Sequence, residues 1–447
     1  MKVMKWSALA LAVSASTMQL AFASAQDESK GFVDDSSLEL LNKNYYFYRD
    51  FRNNDSDRQN YRNEWAHGIS ALYKSGYTQG TVGFGVDAQG MLGLKLDSSP
   101  AHTGTGLLPI DSEGKPQDDY SYAGGAVKMR VSSTELKYGD LMPANPVFAP
   151  GTARLFPSTA TGFQLLSNEI KDLNIEAGHF TSIRDGNMGT NRDGNITTSY
   201  TANLDIEASS VDYLGGSYAI NDNLSVTLYG AQLKDIWNQY YANVNYKIPL
   251  ADKQALGFDF NIYNTKDEGD ALAGDIDTTA YSLAAAYTLS AHTFTLAYQK
   301  NDGDTPFDYI SQDAQNSGDS IFLANSVQYS DFNGPNEQSW QARYDLNMAE
   351  FGVPGLSFMA RYIRGTDVDG THVSANSAYQ GIGSNGSEWE RDLEAKYVVQ
   401  DGPAKDLSFR LRHASWRANH DMDFFGSAGA TAIDEVRLIT EYPLNIL

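Results

Sequence analysis

The chain has 447 residues, with 33 lysines and arginines against 56 aspartates and glutamates, and its formal charge is −23 at pH 7. So acidic a chain is a poor partner for nucleic acid, and because it contains no cysteine, no disulfide can stabilise its fold. Its mean hydropathy is only −0.42, although 12% of its residues are aromatic. A transmembrane barrel combines these properties because only every second residue of a strand faces lipid.

The N-terminus is typical of a cleaved secretory signal. Lys2 and Lys5 are followed by an apolar stretch over 6–22, and Ala23-Ser24-Ala25 resembles a cleavage site. A transmembrane helix is the alternative, but the apolar stretch is shorter than the roughly 20 residues that a span requires. We therefore predict a signal peptide over 1–25 and a single mature domain over 26–447.

From about Ser37 onward, apolar and polar residues alternate with the period of two that is typical of β-strands. In the segment 407–412, the leucines and the phenylalanine share one face, whereas Arg410 and Arg412 lie on the other. Roughly eighteen to twenty such segments follow one another, which predicts an all-β fold, a transmembrane antiparallel β-barrel. Some connections are short turns, and the long polar connections are 97–118, 183–196, 301–319 and 365–387.

A soluble β-sandwich would show the same alternation, so two further features decide between the classes. Aromatic runs at 45–48 and at Tyr240-Tyr241 are expected at strand ends, where they would form interfacial girdles. Arginines recur in the middle of strands on the polar face, which suits a water-filled lumen. The C-terminal residue is Leu447, although outer-membrane barrels usually end in an aromatic residue. The membrane barrel is the favoured interpretation.

The segment 141–157 is the candidate constriction of the pore. Its four prolines forbid regular strand pairing and stiffen it. A stiff and largely apolar segment between two strands is best explained by folding back into the lumen, where Arg154 would place a cation at the narrowing. The alternative is a rigid external loop. The residues assigned to the constriction are Pro146, Phe148, Pro150, Arg154 and Phe156.

Cations on the polar faces of the strands are the candidate lining of the lumen. The first and last strands of a closed barrel are neighbours, so early and late cations can form one basic ladder that guides anions. The alternative is that they pair with lumen acids such as Asp345, Glu394 and Glu441 and only satisfy the wall. The ladder residues are Lys43, Arg49, Lys128, Arg130, Arg343, Arg361, Lys396, Arg410, Arg412 and Arg437.

The sequence offers no catalytic, cofactor or metal site. Gly83-Phe84-Gly85 lies within a strand and opens no helix, so it is not a phosphate-binding loop. The seven histidines lack the spacing of metal ligands. The acidic connection 301–319 could bind a cation, but such loops are usually solvated turns.

Several longer motifs carry a family resemblance. The chain resembles the OprD family of specific porins, also called outer-membrane carboxylate channels, over essentially the whole mature chain. The motifs are Gly31-Phe32-Val33-Asp34-Asp35-Ser36-Ser37-Leu38, Asn44-Tyr45-Tyr46-Phe47 with Arg49-Asp50, Pro146-Val147-Phe148-Ala149, Arg154-Leu155-Phe156-Pro157 with 159–165, the segment 323–335, and Gly352-Val353-Pro354-Gly355-Leu356.

The resemblance implies a monomeric, eighteen-stranded barrel whose third external loop folds inward, with a basic ladder on one lumen wall. It also implies an opposing acid near the seventh loop, for which Asp319 and Asp331 are both candidates. Ala153 stands where the family often has serine, and Lys43 lies where arginine is common, so a hydroxyl and a bidentate fork are missing. Family substrates carry a carboxylate. One branch takes basic amino acids and the other cyclic or aromatic carboxylates, and the resemblance suggests the second.

The function predicted is passive diffusion of small carboxylate-bearing nutrients and ions, and also of antibiotics, through the outer membrane of a Gram-negative bacterium. No cofactor is implied. The predicted partners are outer-membrane lipid and lipopolysaccharide, the carboxylate substrates, and the barrel assembly machinery during biogenesis. The alternatives are a general diffusion porin, an outer-membrane receptor or adhesin with a plugged lumen, and an outer-membrane barrel enzyme.

Overall fold

A computed structural model describes residues 25–52, 59–187, 196–202, 206–311, 318–423 and 430–447. The predicted signal peptide lies outside the described residues except for Ala25. Eighteen long strands form one sheet. They are β1 (Ser37–Arg52), β2 (Tyr61–Lys74), β3 (Val82–Asp97), β4 (Asp119–Val131), β5 (Thr134–Leu141), β6 (Thr159–Ser167), β7 (Leu173–Arg184), β8 (Val211–Asn221), β9 (Leu224–Leu233), β10 (Trp237–Ala251), β11 (Gln254–Asp267), β12 (Asp277–Leu289), β13 (His292–Asp302), β14 (Gln338–Asn347), β15 (Leu356–Val368), β16 (Gly386–Val398), β17 (Ser408–Ala418) and β18 (Ala432–Asn445).

The sheet closes on itself. Each strand pairs antiparallel with the next, and β18 pairs with β1 in a register that places Glu441 opposite Lys43 and Ala432 opposite Arg52. Closure leaves no unpaired strand edge, which is the requirement for a sheet that spans a bilayer. The predicted eighteen-stranded antiparallel barrel is confirmed.

The two rims of the barrel differ in the length of their connections. At one rim the connections are short, such as 132–133 and 222–223, and none is longer than 399–407. The other rim carries all the long connections, including 142–158 and 303–337. Short turns mark the periplasmic side of such barrels and long loops the extracellular side. Strand β1 therefore starts at the periplasm, and 142–158 is the third external loop.

Helical structure is minor in this chain. Within the described residues, the helical segments are two short 3-10 turns, Met348–Phe351 and His420–Met422. None of the helices in this part of the chain is long and apolar enough to cross a membrane. The two short strands Thr197–Thr198 and Ile310–Ser311 pair with each other outside the main sheet.

The alternation of side chains agrees with a lipid-facing exterior and a polar lumen. Leu228 and Leu296 point outward and are exposed, whereas Asn261 is buried inside. The aromatic run at 45–48 corrects the sequence expectation, because it lies within β1 rather than at its end, and Tyr45 and Phe47 are buried on the lumen side. These two rings cannot belong to an interfacial girdle, and they pack instead against the third external loop.

Candidate functional site

The third external loop, 142–158, crosses the lumen. Near its start, Phe148 is buried against Phe180, with ring centroids 5.1 Å apart. Near its end, Phe156 packs edge-on against Tyr120 of β4 at 5.5 Å, in a cluster that also contains Tyr45 of β1. Its ends therefore contact different walls, so the predicted inward fold is confirmed and the rigid external loop is excluded.

Most residues assigned to the constriction anchor this loop and do not line the pore. Pro146, Phe148, Pro150 and Phe156 are all buried. The carbonyl of Pro146 accepts a hydrogen bond of 3.1 Å from the Tyr263 hydroxyl of β11. Of the five predicted residues, Arg154 is the one whose side chain retains access to the lumen.

Arg154 is held by its neighbours in a fixed position. Its Nε donates to the carbonyl of Thr105 in the second external loop at 2.8 Å, and its own carbonyl accepts from Lys43 Nζ at 2.8 Å. Its guanidinium lies 5.5 Å from the centroid of the Phe47 ring. Hydrogen bonds on the main chain and the side chain leave the guanidinium little freedom to move away from β1.

Two more arginines converge on the same ring. Arg437 of β18 lies 4.5 Å and Arg49 of β1 lies 5.3 Å from the centroid of Phe47. The negative face of an aromatic ring attracts cations within about 6 Å. Phe47 is thus a platform that holds three guanidiniums close together, including that of Arg154.

One carboxylate balances part of this charge. Glu435 is buried, and its oxygens lie 2.5 Å from Arg49 and 2.6 Å from Arg437. With Arg154, three guanidiniums and the carboxylate of Glu435 lie together on this side of the constriction. Burial and the neighbouring Arg437 and Arg49 lower the pKa of Arg154 to about 10, which leaves it charged at neutral pH.

Most of the predicted basic ladder forms one continuous wall of the lumen. Eight of its ten cations lie on the adjacent strands β14, β15, β16, β17, β18 and β1. Seven of these eight form ion pairs with wall carboxylates. The pairs are Lys43–Glu441 at 3.5 Å, Arg343–Asp345 at 2.7 Å, Arg361–Asp392 at 2.6 Å, Arg410–Glu394 at 2.7 Å and Arg412–Glu394 at 3.3 Å, besides the two with Glu435.

The remaining two ladder cations are separated from this wall by β2 and β3. Lys128 of β4 pairs with Asp87 of β3 at 2.6 Å. Arg130 of β4 lies over the Tyr77 ring at 3.9 Å and donates to Gln26 at 3.1 Å. These contacts place both cations beside the N-terminal segment, so the structure does not bring them together with the other eight.

The two candidate opposing acids have different surroundings. Asp319 accepts from the backbone N–H of Thr152 at 2.8 Å and from its hydroxyl at 2.5 Å, two residues before Arg154. Asp331 accepts from the hydroxyls of Tyr200 and Tyr309, each at 2.8 Å, inside the loop packing. Burial raises the pKa of Asp319 above its usual range. Asp319 is therefore the acid that lies at the constriction.

Sequence reasoning missed several residues that hold this site. Glu64 of β2 is fully buried and accepts from the backbone N–H groups of Gly104 at 2.8 Å and Leu107 at 3.0 Å. This fixes the second external loop, whose Thr105 holds Arg154. Glu435 could have been found, because it lies two residues before Arg437 and so on the same face of its strand.

The comparisons with known proteins agree with this geometry. The family described as outer membrane porin, OprD family, matches residues 30–446. Porin D of Pseudomonas aeruginosa is 60% identical over 100% of both chains. The crystal structure of Pseudomonas aeruginosa OprD superimposes with a TM-score of 0.80 at 56% identity, covering 96% of this chain and 100% of that one. Pseudomonas aeruginosa OpdK with vanillate gives 0.81 at 34% identity, covering 93% and 100%. The chain belongs to the OprD family of outer-membrane porins.

Proposed function

We propose that this substrate-selective porin binds the carboxylate of its solutes at the convergence of Arg49, Arg154 and Arg437. The observation that carries the proposal is that three guanidiniums converge on the Phe47 platform at the constriction, beside the buried carboxylate of Glu435. Guanidinium groups bind carboxylates through charge-assisted and often bidentate hydrogen bonds. A solute carboxylate would meet these guanidiniums as it passes the constriction.

The other cations of the wall would then conduct the solute toward the periplasm. Arg412 lies directly opposite Arg437 on the lumen face, and Arg410 and Lys396 lie two residues nearer the periplasmic rim. Glu394 is shared by Arg410 and Arg412, so this group has more cations than carboxylates. A row of fixed positive charge lowers the barrier to an anion without binding it tightly at one place.

Asp319 would bind a cationic group at the other end of the substrate. A carboxylate at the constriction, near Arg154, suits a solute that carries a cation as well as a carboxylate. This favours amino acids with a basic side chain over the cyclic or aromatic carboxylates expected from the sequence.

The remaining expectations fit this function as further parts of the proposal. One chain closes the whole barrel, so a monomer is a complete pore, and residues 26–447 act as one domain. The outward leucines contact outer-membrane lipid and lipopolysaccharide. Assembly machinery inserts the barrel despite the terminal Leu447, and small ions and antibiotics follow the same path as the nutrients.

Single-channel current in a planar bilayer tests the proposal. Arginine and benzoate are added in turn to the wild type and to the Arg154→Gln, Asp319→Asn and Lys300→Gln variants. We expect the Arg154→Gln change to weaken block by both solutes about tenfold, the loss of one charged hydrogen bond, and Asp319→Asn to weaken block by arginine alone. Lys300 lies on the outer face of β13, so its variant is the control.

The alternatives make different predictions in the same experiment. A general diffusion porin would show large conductance steps that neither solute blocks. A plugged receptor would show negligible conductance in correctly folded protein. Equal block of the wild type and the Arg154→Gln variant by both solutes would contradict the proposed carboxylate site.

A further inference from the structure

The outer wall of the barrel carries a cluster of arginines near its extracellular rim. Among the described strand residues, the arginines that point away from the lumen are Arg52 on β1, Arg364 on β15, Arg391 on β16 and Arg417 on β17. With β18, these strands are consecutive in the sheet. Charged side chains on the lipid face of a barrel are costly except near the interfaces, so their concentration here requires an explanation.

The register places these arginines in two rows. Arg364 lies opposite Trp389, which lies opposite Arg417, and this row continues to Arg52 at the top of β1. Two residues lower, Arg391 lies opposite Ser415. Directly below come exposed apolar side chains, Leu393, Leu411 and Leu438, on β16, β17 and β18. The arginines therefore begin where the apolar band of the outer wall ends, at the depth of the lipid headgroups.

The arginines of this cluster surround two depressions in the outer surface of the barrel. A groove of about 340 Å³ is lined by Tyr48, Arg52, Arg391, His413 and Arg417, among others. A second depression of about 170 Å³ adjoins it, lined by Arg364, Trp389 and again Arg417. A phosphate group could therefore enter between the guanidiniums and would not have to rest on a flat surface.

The cluster has more positive than negative charge. Asp434 pairs with Arg52 at 2.6 Å and with Arg417 at 3.0 Å, and Asp50 lies 3.3 Å from Arg52. In the part of the chain that the structure describes, Arg364 and Arg391 form no ion pair, and both are exposed. Four guanidiniums thus share two carboxylates, and two guanidiniums remain available to an anion.

Aromatic rings support the cluster from the side. The Arg417 guanidinium lies 5.8 Å from the Trp389 ring, and Trp389 stacks on Tyr362 with centroids 5.8 Å apart. Aromatic side chains of this kind anchor a barrel at the membrane interface. The rings fix the height of the cluster in the bilayer, so the arginines meet headgroups and not acyl chains.

We propose that this outer groove binds the phosphate groups of lipopolysaccharide in the outer leaflet. The planar guanidinium of arginine can donate two hydrogen bonds to the oxygens of one phosphate. The leucines below would contact the acyl chains of the same molecule. The site lies on the opposite face of the sheet from the constriction. It does not depend on the proposed carboxylate selectivity, and a lipid bound there would leave the pore open.

Native mass spectrometry of the purified full-length porin in detergent tests this site. The probes are lipid A with its phosphates, the same lipid A after enzymatic dephosphorylation, and inorganic phosphate. The Arg364→Gln and Arg391→Gln substitutions are made singly and together, because neither side chain forms an ion pair with a described residue whose loss would destabilise the barrel. The control is Lys266→Gln with Lys300→Gln, which removes outward cations of β11 and β13 at the same rim.

We expect the wild type to bind phosphorylated lipid A about tenfold more tightly than the dephosphorylated form, and each arginine substitution to cost about tenfold. The Lys266→Gln/Lys300→Gln control and the single-channel conductance of all variants should stay unchanged. An Arg364→Lys/Arg391→Lys variant should bind with intermediate affinity, because it keeps the charge and loses the fork. Equal binding of both lipids by the wild type, or undiminished binding of phosphorylated lipid A by the Arg364→Gln/Arg391→Gln variant, would overturn the proposal.

Discussion

Two walls of the same lumen stabilise their buried polar side chains by different interactions. The wall formed by β14–β18 and β1 uses ion pairs, such as Arg361–Asp392 at 2.6 Å. The wall formed by β9–β12 uses hydroxyl and amide groups. There the Tyr241 hydroxyl donates to Asn261 at 2.6 Å, and the Asn243 amide donates to Asp259 at 2.7 Å.

The difference shows where selectivity resides. On the other wall the carboxylate of Asp259 accepts from the amides of Asn243 and Asn261, each at 2.7 Å, so its hydrogen-bond partners here are neutral and this group contributes a negative charge. Guanidiniums are charged at neutral pH, and on the ion-paired wall three of them converge on the Phe47 ring. An anion is therefore drawn to the ion-paired wall and away from the wall that contains Asp259.

The largest expected effect comes from removing the shared carboxylate of the ion-paired wall. The Glu435→Gln change removes the carboxylate that pairs with the buried Arg49 and Arg437, which we expect to destabilise the protein by about 3–5 kcal/mol. Asp259→Asn on the amide wall is the matched control and should cost about 1 kcal/mol, since an amide can still accept one hydrogen bond. Urea unfolding in lipid vesicles, followed by tryptophan fluorescence, measures both. Equal losses would mean that the two walls do not differ in this way.

For the ion-paired wall, the sequence alone predicted which cations face the lumen. Alternation placed Arg361, Arg410 and Arg437 on the polar face because a β-strand has a period of two, whatever its neighbours are. It could not assign partners, since Glu435 reaches Arg49 only across the closure between the last and the first strand. Such contacts depend on register, which a single sequence does not contain.

The same limit applies to the third external loop, because a single sequence does not show which wall its side chains contact. Proline content identified the stiff segment and its inward fold, but four of its five assigned residues proved to be anchors, because apolar side chains in the lumen bury themselves against the wall. The position of Phe148 against Phe180 follows from where β5 and β7 stand in the barrel. Arg154 remains partly exposed, because burying a cation without compensating partners is costly.

The next largest effect, on conductance and stability, is expected where the third external loop contacts β2. Gly68 faces the lumen, and a Cβ there would lie 2.8 Å from Cε1 of Phe156 and 2.9 Å from Cγ of Leu155. The Gly68→Ala change should therefore push the loop toward the pore axis, lower the single-channel conductance and cost about 1–3 kcal/mol. Gly90→Ala is the control, because no atom lies within 4 Å of its added Cβ. An unchanged conductance in Gly68→Ala would show that the loop adjusts without moving into the pore.

A smaller effect is expected where the loop meets Asp319. The Thr152→Val change removes the 2.5 Å hydroxyl bond but keeps the shape of the side chain and the backbone bond. One hydrogen bond contributes about 1 kcal/mol, so brief closures in the single-channel current should become about fivefold more frequent. Thr152→Ser retains the hydroxyl and should behave as the wild type. If Thr152→Val gates as the wild type does, the bond to Asp319 does not steady the constriction.

The smallest effect is a loss of anion attraction at high pH. Because burial and the neighbouring arginines lower the pKa of Arg154 to about 10, its charge is complete below pH 8 and falls as the pH rises through 10. Block by benzoate, which stays ionised throughout, should be constant from pH 6 to 8 and about twofold weaker at pH 10, where half of the Arg154 side chains are neutral. The Arg154→Gln variant should lack this decrease in block, which distinguishes the titration of Arg154 from that of lysines on the same wall. A step of equal size in that variant would assign the titration to the lysines and leave Arg154 charged throughout.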